Sequence, residues 1–150
     1  MIMNQDSKSF DDFEIGDEIG PVTKTPTTEM VLRYAEVAHI QGLKFFFHKK
    51  DAEQAGLTKP IVPGPLNTTY LCQMLKDFFV GWRLRTLNTT FRTPIRHGET
   101  ISLWGMITEK NEEDGVPTVY CDLIGENEQG ERAITGTAVM VQQTPRQASG

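Results

Sequence analysis

The chain has 150 residues, of which 38% are hydrophobic and 23% charged, and its formal net charge is -5 at pH 7. This length and composition fit one soluble globular domain and exclude a disordered, collagenous or fibrous chain. Acidic and basic residues are interspersed, which argues against nucleic acid or an anionic membrane as a partner. We expect a cytoplasmic protein, because the sequence has neither a membrane span nor the apolar core of a secretory signal.

The two cysteines occur in apolar patterns and lack the spacing of metal ligands. Cys72 falls in a helical pattern and Cys121 in a strand pattern. We predict that both are buried free thiols, with no disulfide and no metal site.

The N-terminal part of the chain predicts a short strand and a helix. The segment DDFEIGDEIGPVTK places apolar residues between turn residues, which is typical of an edge strand. In TTEMVLRYAEVAH, apolar residues recur at helical spacing behind Thr27 or Thr28, either of which can cap the helix. This helix is predicted to end near Gly42.

The motif FFFHKK, residues 45–50, follows this helix. Three adjacent rings cannot share one face of a helix or strand, so at least one meets solvent, a partner chain or a ligand. Asp51 and Gln54 have the side chains of a capping pair and predict a short helix that runs to Gly56. The rest of the segment 39–63 is predicted to be irregular.

The clearest helix is predicted to begin at Pro65, directly after Gly64. Proline suits the first helical position because its missing N–H would have no intrahelical acceptor there. The helix carries a broad apolar stripe with a period of 3.6 residues, formed by Leu66, Tyr70, Leu71, Met74, Leu75, Phe78 and Phe79. A stripe of this width predicts a central, largely buried helix.

After Gly81 the apolar pattern changes to a period of two. The segments LRTLNTTF, ISLWGMIT, TVYCDLIG and RAITGTAVMVQ alternate between the turn signals RHGE, EEDG and NEQG, and predict a four-stranded antiparallel meander. A long helix followed by such strands predicts an α+β fold with a curved antiparallel sheet wrapped around the helix. The ordered core is expected over about 10–142, followed by a polar tail over 143–150.

In this order, the segments resemble the MaoC-like hydratases and dehydratases, a family of the hot-dog fold. The resemblance covers most of residues 10–142. It implies that residues 1–150 form a single MaoC-like hot-dog domain. The segments that carry it are DFEIGDEIG, TTEMVLRYAEVA, a histidine followed by DAEQAGL, PIVPGPL, FRTPIRHGETI and NEQGERAITGTAVMV.

This resemblance implies an acyl thioester of coenzyme A or of an acyl carrier protein as the ligand. The ligand would lie between two hot-dog chains, in a homodimer or in a heterodimer with a related chain. Coenzyme A or phosphopantetheine is then part of the substrate, and no separate cofactor is expected. The family reaction adds or removes water across the 2,3-bond, with an Asp and a His as acid and base and a helix N-terminus at the thioester oxygen.

The family's catalytic residues transfer only in part to this sequence. His48 stands where the family has its catalytic histidine, and Gly64 stands at the glycine that opens the central helix, with its N–H at the positive end of the helix dipole. The family's aspartate, five residues before the histidine in Asp-x-Asn-Pro-x-His, is replaced by Leu43. An alignment anchored on the preceding helix places it near Ile40 instead, which again supplies no carboxylate.

Other residues are candidates for supporting or substrate-binding roles. His39, Asp51 and Asn67 are the possible auxiliaries of His48, and Asp51 is alternatively the cap of the short helix. The predicted substrate-binding residues are Phe45, Phe46, Phe47, Pro63 and Arg92. The phenylalanines would wall an acyl tunnel or a subunit seam, Pro63 replaces a histidine usual in the family, and Arg92 would hold a phosphate.

The predicted function is therefore acyl-thioester binding, with enoyl-thioester hydration or hydroxyacyl-thioester dehydration as the reaction. One alternative is a non-catalytic partner subunit of a two-part hydratase, in which His48 is a relic. A hot-dog thioesterase ranks lower, because only Asn67, Thr68 and Thr69 offer polar groups near the helix start. His48 also has a purely structural interpretation, as a histidine at the end of a buried aromatic strip, oriented by a backbone carbonyl.

Overall fold

The computed structural model describes residues 7–40, 42–43, 47–57 and 59–143. The elements, in chain order, are a 3₁₀ turn Phe10–Asp12, β1 Glu18–Lys24, α1 Thr28–Ala38, α2 Lys49–Gln54, α3 Gly64–Phe78, β2 Trp82–Phe91, β3 Ile101–Glu113, β4 Val116–Glu126 and β5 Arg132–Gln142. The five strands form one antiparallel sheet around α3, which confirms the predicted α+β architecture.

The strand order is β1-β3-β4-β5-β2, with β1 and β2 at the two edges. The predicted edge strand is confirmed as β1, and β3, β4 and β5 form the expected meander. The EEDG turn is a two-residue hairpin in which Asp114 and Gly115 both have positive φ, 52° and 79°. Such a turn matches the right-handed twist of the flanking strands.

The prediction that all four long strands follow each other in a meander is wrong for β2. This strand pairs with β5, so that Thr90 lies opposite Thr135, and it makes no ladder with β3 in the described residues. The connection over residues 92–100 is too long for a tight hairpin, and the N–H groups of Arg92 and Thr93 both donate to the carbonyl of Ala133 on the β5 side. The turn at Gly98 therefore lies within a long crossover.

The core lies between α3 and the concave face of the sheet. The helix begins at Gly64, one residue before the predicted start, and ends at Phe78, so that buried Phe79 lies just beyond it. The apolar stripe of α3 is buried against sheet residues that include Ile101, Leu103, Ile107, Val119, Leu123, Ile134 and Met140. At about 1.5–3 kcal/mol for each large apolar side chain, this burial is the main stabilising term of the fold.

Helix α1 begins as predicted and ends earlier than predicted. Thr27 is its N-cap and accepts a hydrogen bond from the N–H of Met30 at 3.2 Å. The helix stops at Ala38 rather than near Gly42, because His39 adopts the left-handed conformation with φ 57°. Histidine is among the residues that tolerate this region better than most.

The predicted cap of the short helix is wrong. Helix α2 begins at Lys49 behind His48, whose extended backbone (φ -121°, ψ 128°) places it at the N-cap without a side-chain hydrogen bond. The carbonyl of His48 accepts from the N–H of Ala52 at 2.9 Å. Asp51 consequently lies inside the first turn, where its charge interacts favourably with the helix dipole.

Both cysteines are free thiols, as predicted, but only one is buried. Burial, with a further contribution from the charge of Asp122, raises the pKa of Cys121 to about 12. Cys72 is only half-buried on α3, which corrects the prediction for that residue, and burial raises its pKa as well. In the described part of the chain no cluster of three potential metal ligands occurs, and no helix is long and apolar enough to cross a membrane.

Candidate functional site

Two loop segments meet at the N-terminus of α3. Residues 60–63 lead into the helix, and residues 92–97 follow β2. The N–H of Val62 donates to the carbonyl of Ile95 at 2.6 Å, and the N–H of His97 donates to the carbonyl of Pro60 at 3.1 Å. These bonds hold the start of the helix against the end of β2.

A cavity of about 250 Å³ opens between these segments. Its walls are mostly apolar and are formed by Ile61, Val62, Gly64, Asn67, Phe91, Arg92, Thr93, Pro94, Ile95 and Ile134. Among these lining residues there is no carboxylate and no imidazole. The cavity can therefore hold an apolar group, and the polar side chains in its wall are those of Asn67, Arg92 and Thr93.

The first turn of α3 leaves one backbone donor at this cavity. Pro65 has no N–H, and the N–H groups of Leu66 and Asn67 donate to the carbonyl of Pro63 at 3.1 and 3.5 Å. Within the described residues, no acceptor takes the N–H of Gly64. Because the helix N-terminus carries partial positive charge, this donor suits an oxygen on which negative charge develops.

Asn67 supplies a second polar group in the same cavity. Its side chain is 3% exposed, and its Oδ1 is buried without a hydrogen-bond partner in the described part of the chain. The neighbouring hydroxyls of Thr68 and Thr69 donate to helix carbonyls, those of Gly64 at 3.2 Å and Pro65 at 3.0 Å. Of the three polar side chains predicted near the helix start, only Asn67 therefore lines the cavity.

Phe91, which the sequence did not single out, forms the wall opposite Gly64. A β-carbon at residue 64 would lie only 2.8 Å from Cε2 of Phe91, so the close approach of ring and helix depends on glycine. The sequence signal for this role is the aromatic residue that begins FRTPI, directly before the predicted substrate-binding residue Arg92.

Arg92 lies at the cavity, as its predicted substrate-binding role requires. It is exposed, and its Nε donates to Oγ1 of Thr135 at 3.2 Å, which fixes the base of the guanidinium. A neighbouring cavity of about 150 Å³ is lined by two more cations, Lys59 and Arg96, and shares Ile61, Thr93 and Pro94 with the first. Positive charge thus borders the apolar cavity on this side.

The predicted acid-base residues do not line this cavity in the described chain. His48 is exposed at the N-cap of α2, His39 is exposed at the C-cap of α1, and Asp51 lies in the first turn of α2.

Two of the predicted substrate-binding residues, Phe47 and Pro63, are buried, and neither lines the cavity in the described chain. Phe47 is buried in the core with 5% exposure, and Pro63 is buried at the N-cap of α3. Phe45 and Phe46 lie outside the described residues.

His97, which the sequence suggested only as part of a turn, supports the cavity wall. Its Nε2 lies 3.2 Å from the carbonyl of Ile61, and its Nδ1 lies 3.1 Å from Oγ1 of Thr28. A carbonyl only accepts, so Nε2 donates, and in the neutral ring Nδ1 accepts from the threonine hydroxyl. The imidazole thereby connects the start of α1 to the loop before α3.

Known proteins with this fold include hydratases and dehydratases. No protein-family model and no curated protein matches the sequence. Among solved structures, the chain is similar to an (R)-hydratase from A. caviae involved in PHA biosynthesis, with 19% identity, a TM-score of 0.79 and coverage of 88% of this chain and 98% of that one. It is also similar to a MaoC-like dehydratase from Rhodospirillum rubrum, with 15% identity, a TM-score of 0.76 and coverage of 90% and 97%.

A third similar structure is a complex, the C-terminally truncated HadBC (3R-hydroxyacyl-ACP dehydratase) from Mycobacterium tuberculosis, with 19% identity, a TM-score of 0.69 and coverage of 85% and 96%. At these identities the similarity establishes the fold. The chain has the hot-dog fold, which confirms the prediction made from its motifs.

Proposed function

We propose that this protein binds an acyl thioester of coenzyme A or of an acyl carrier protein, as a hot-dog protein of the MaoC-like hydratase and dehydratase type. The observation that carries the proposal is the N–H of Gly64, unpaired within the described chain, at an apolar cavity. The thioester oxygen accepts from this N–H, and the acyl chain lies against side chains such as Ile95 and Ile134.

The size of the cavity supports a binding site completed by a second chain. Its volume of about 250 Å³ falls below the roughly 300–1,000 Å³ usual for ligand pockets. A single chain therefore encloses only part of an acyl thioester. A second hot-dog chain, identical or related, would cover the remainder, and the complex-forming HadBC proteins have the same fold.

The reaction proposed for this site is hydration of an enoyl thioester or dehydration of a hydroxyacyl thioester. It requires a group that moves a proton at carbon 2 or 3, and His48 is the candidate for that role in this chain. The Gly64 N–H would stabilise the enolate-like charge on the thioester oxygen, and Arg92 would hold a phosphate of the carrier arm.

A second candidate function is that of a non-catalytic partner subunit. It is favoured by the lack of any carboxylate or imidazole among the described residues that line the cavity, and by the exposed position of His48. In this arrangement the chain contributes the acyl pocket, and a related hot-dog chain contributes both proton-transferring groups.

An assay of the purified chain with enoyl-CoA substrates distinguishes these functions. Hydration is followed for the wild type, for His48→Ala, and for Gln54→Ala as a control at the other, exposed end of α2. Hydration lost only in His48→Ala supports catalysis by this chain. Acyl-CoA binding without turnover, with turnover restored by a related chain that carries both Asp and His, supports the partner function. A wild type that neither binds nor converts any acyl thioester refutes the proposal.

A further inference from the structure

The amide of Asn67 is the most deeply buried polar side chain in the wall of the cavity. It is 3% exposed, whereas Thr93 is half-buried and Arg92 is exposed. The helix that carries it is anchored, because the neighbouring side chains of Leu66, Tyr70 and Leu71 are buried in the core. A buried amide on an anchored helix is held in place and can orient a ligand.

The carbonyl oxygen of this amide lacks a hydrogen-bond partner within the described protein. Oδ1 of Asn67 makes no hydrogen bond there, and the adjacent hydroxyls of Thr68 and Thr69 are committed to carbonyls one turn earlier. An unsatisfied buried polar atom destabilises the folded state and is uncommon in native proteins. Its presence in the wall of a cavity indicates a group that is satisfied when the cavity is occupied.

The position of Asn67 relative to Gly64 limits what that occupant is. Residues three apart on a helix lie on one face, with about 5–6 Å between their side-chain origins. A thioester whose oxygen accepts from the Gly64 N–H therefore brings the carbons close to the thioester group next to Asn67. A hydroxyl on one of these carbons donates to Oδ1, whereas a saturated chain leaves it unpaired.

We infer that Asn67 is a specificity-determining residue that hydrogen-bonds a hydroxyl on the acyl chain, so that the site prefers hydroxyacyl thioesters to saturated thioesters of equal length. The inference rests on the proposed thioester binding. It assigns Asn67 to ligand selection rather than to proton transfer, because a side-chain amide is neither an acid nor a base near neutral pH.

The test compares dissociation constants for 3-hydroxyacyl-CoA and saturated acyl-CoA of the same length by calorimetry. We expect the wild type to bind the hydroxylated ligand roughly tenfold more tightly, the size of one well-placed neutral hydrogen bond. Asn67→Leu and Asn67→Ala should both bring the ratio of the two constants close to one. Thr69→Val, exposed in the same helical turn, should keep the wild-type ratio.

The ratio of two constants measured on one variant does not depend on the fraction of correctly folded protein, so partial misfolding of a variant does not hide the effect. A wild-type ratio near one overturns the role of Asn67 in ligand selection. So does a preference for the hydroxylated ligand that persists in both Asn67 variants. Such a result leaves thioester binding intact. A wild type that binds neither ligand instead overturns the proposed function itself.

Discussion

The aromatic ring of Phe91 lies against Gly64, so close that a β-carbon at residue 64 would be 2.8 Å from Cε2 of the ring. This contact places the end of β2 directly over the first turn of α3. The ring is 47% exposed and closes one side of the cavity. The close packing of the ring therefore favours glycine at the position whose N–H is available to a ligand.

The variant Gly64→Ala should lose ligand affinity while it remains folded. The added methyl group displaces the Phe91 ring, which moves at modest cost because it is partly exposed, and the new ring position narrows the cavity. We expect acyl-CoA affinity to fall by roughly tenfold or more, because the displaced ring occupies space that the acyl group would fill and apolar burial of that group is lost. Calorimetric titration measures this change.

Gly42→Ala is the control, because a β-carbon at residue 42 meets no atom within 4 Å. It should bind as the wild type does. Equal acyl-CoA affinities for the wild type and Gly64→Ala would show that the N-terminus of α3 is not part of the binding site.

Replacement of Asn67 by leucine should stabilise the ligand-free protein. The substitution removes a buried acceptor that has no partner in the described chain and adds apolar area to a core helix. We expect the free energy of unfolding to rise by about 1 kcal/mol, the lower end of the penalty for an unsatisfied buried group. Urea denaturation measures the free energy of unfolding of Asn67→Leu, with Thr69→Val as the control in the same helical turn. A clear destabilisation by leucine would indicate that the amide already has a hydrogen-bond partner.

The N-cap of α1 should contribute measurably to stability. Oγ1 of Thr27 accepts from the N–H of Met30 at 3.2 Å, and alanine removes this acceptor. Thr27→Ala should lower the free energy of unfolding by about 1 kcal/mol, whereas Thr27→Ser retains the hydroxyl and should stay close to the wild type. Similar denaturation midpoints for the alanine and serine variants would contradict this assignment.

Cys121 should make stability depend on pH in the alkaline range. Its folded-state pKa of about 12 lies above the ordinary value of 9.0, so the folded chain keeps a proton that the unfolded chain releases. Stability attributable to this thiol is therefore constant below pH 9 and falls as the pH rises from about 9 to 12. Unfolding measured at pH 8 and pH 10 should show an additional loss of about 1 kcal/mol in the wild type relative to Cys121→Ala. Equal losses of unfolding free energy in the wild type and in Cys121→Ala would refute the contribution of this thiol.

Local patterns in the sequence predicted the elements well. The period of 3.6 residues identified α3, the period of two identified the four long strands, and Thr27 was among the predicted caps of α1. Each of these signals is local, because side-chain spacing and capping chemistry act within a few residues. The hot-dog fold was expected for a different reason, since it was implied by the resemblance of the ordered motifs to a known family.

The features that were missed depend on contacts between distant segments. The pairing of β2 with β5 is decided by the crossover over 92–100, and no local pattern encodes it. His48 caps α2 through its backbone alone, so its side chain carried no signal. In the site, Asn67 was predicted as an auxiliary, whereas the roles of Phe91 and His97 became visible only when the two loop segments met.

Direct titration of the purified protein with an acyl-CoA of medium chain length tests the central claim most directly, with free coenzyme A as the reference ligand. We predict saturable binding of acyl-CoA that is clearly tighter than binding of coenzyme A, because the acyl chain enters the apolar cavity and the thioester oxygen accepts from Gly64. Equal affinities for the two ligands, or no binding of acyl-CoA, would contradict the assignment of an acyl-thioester site to the N-terminus of α3.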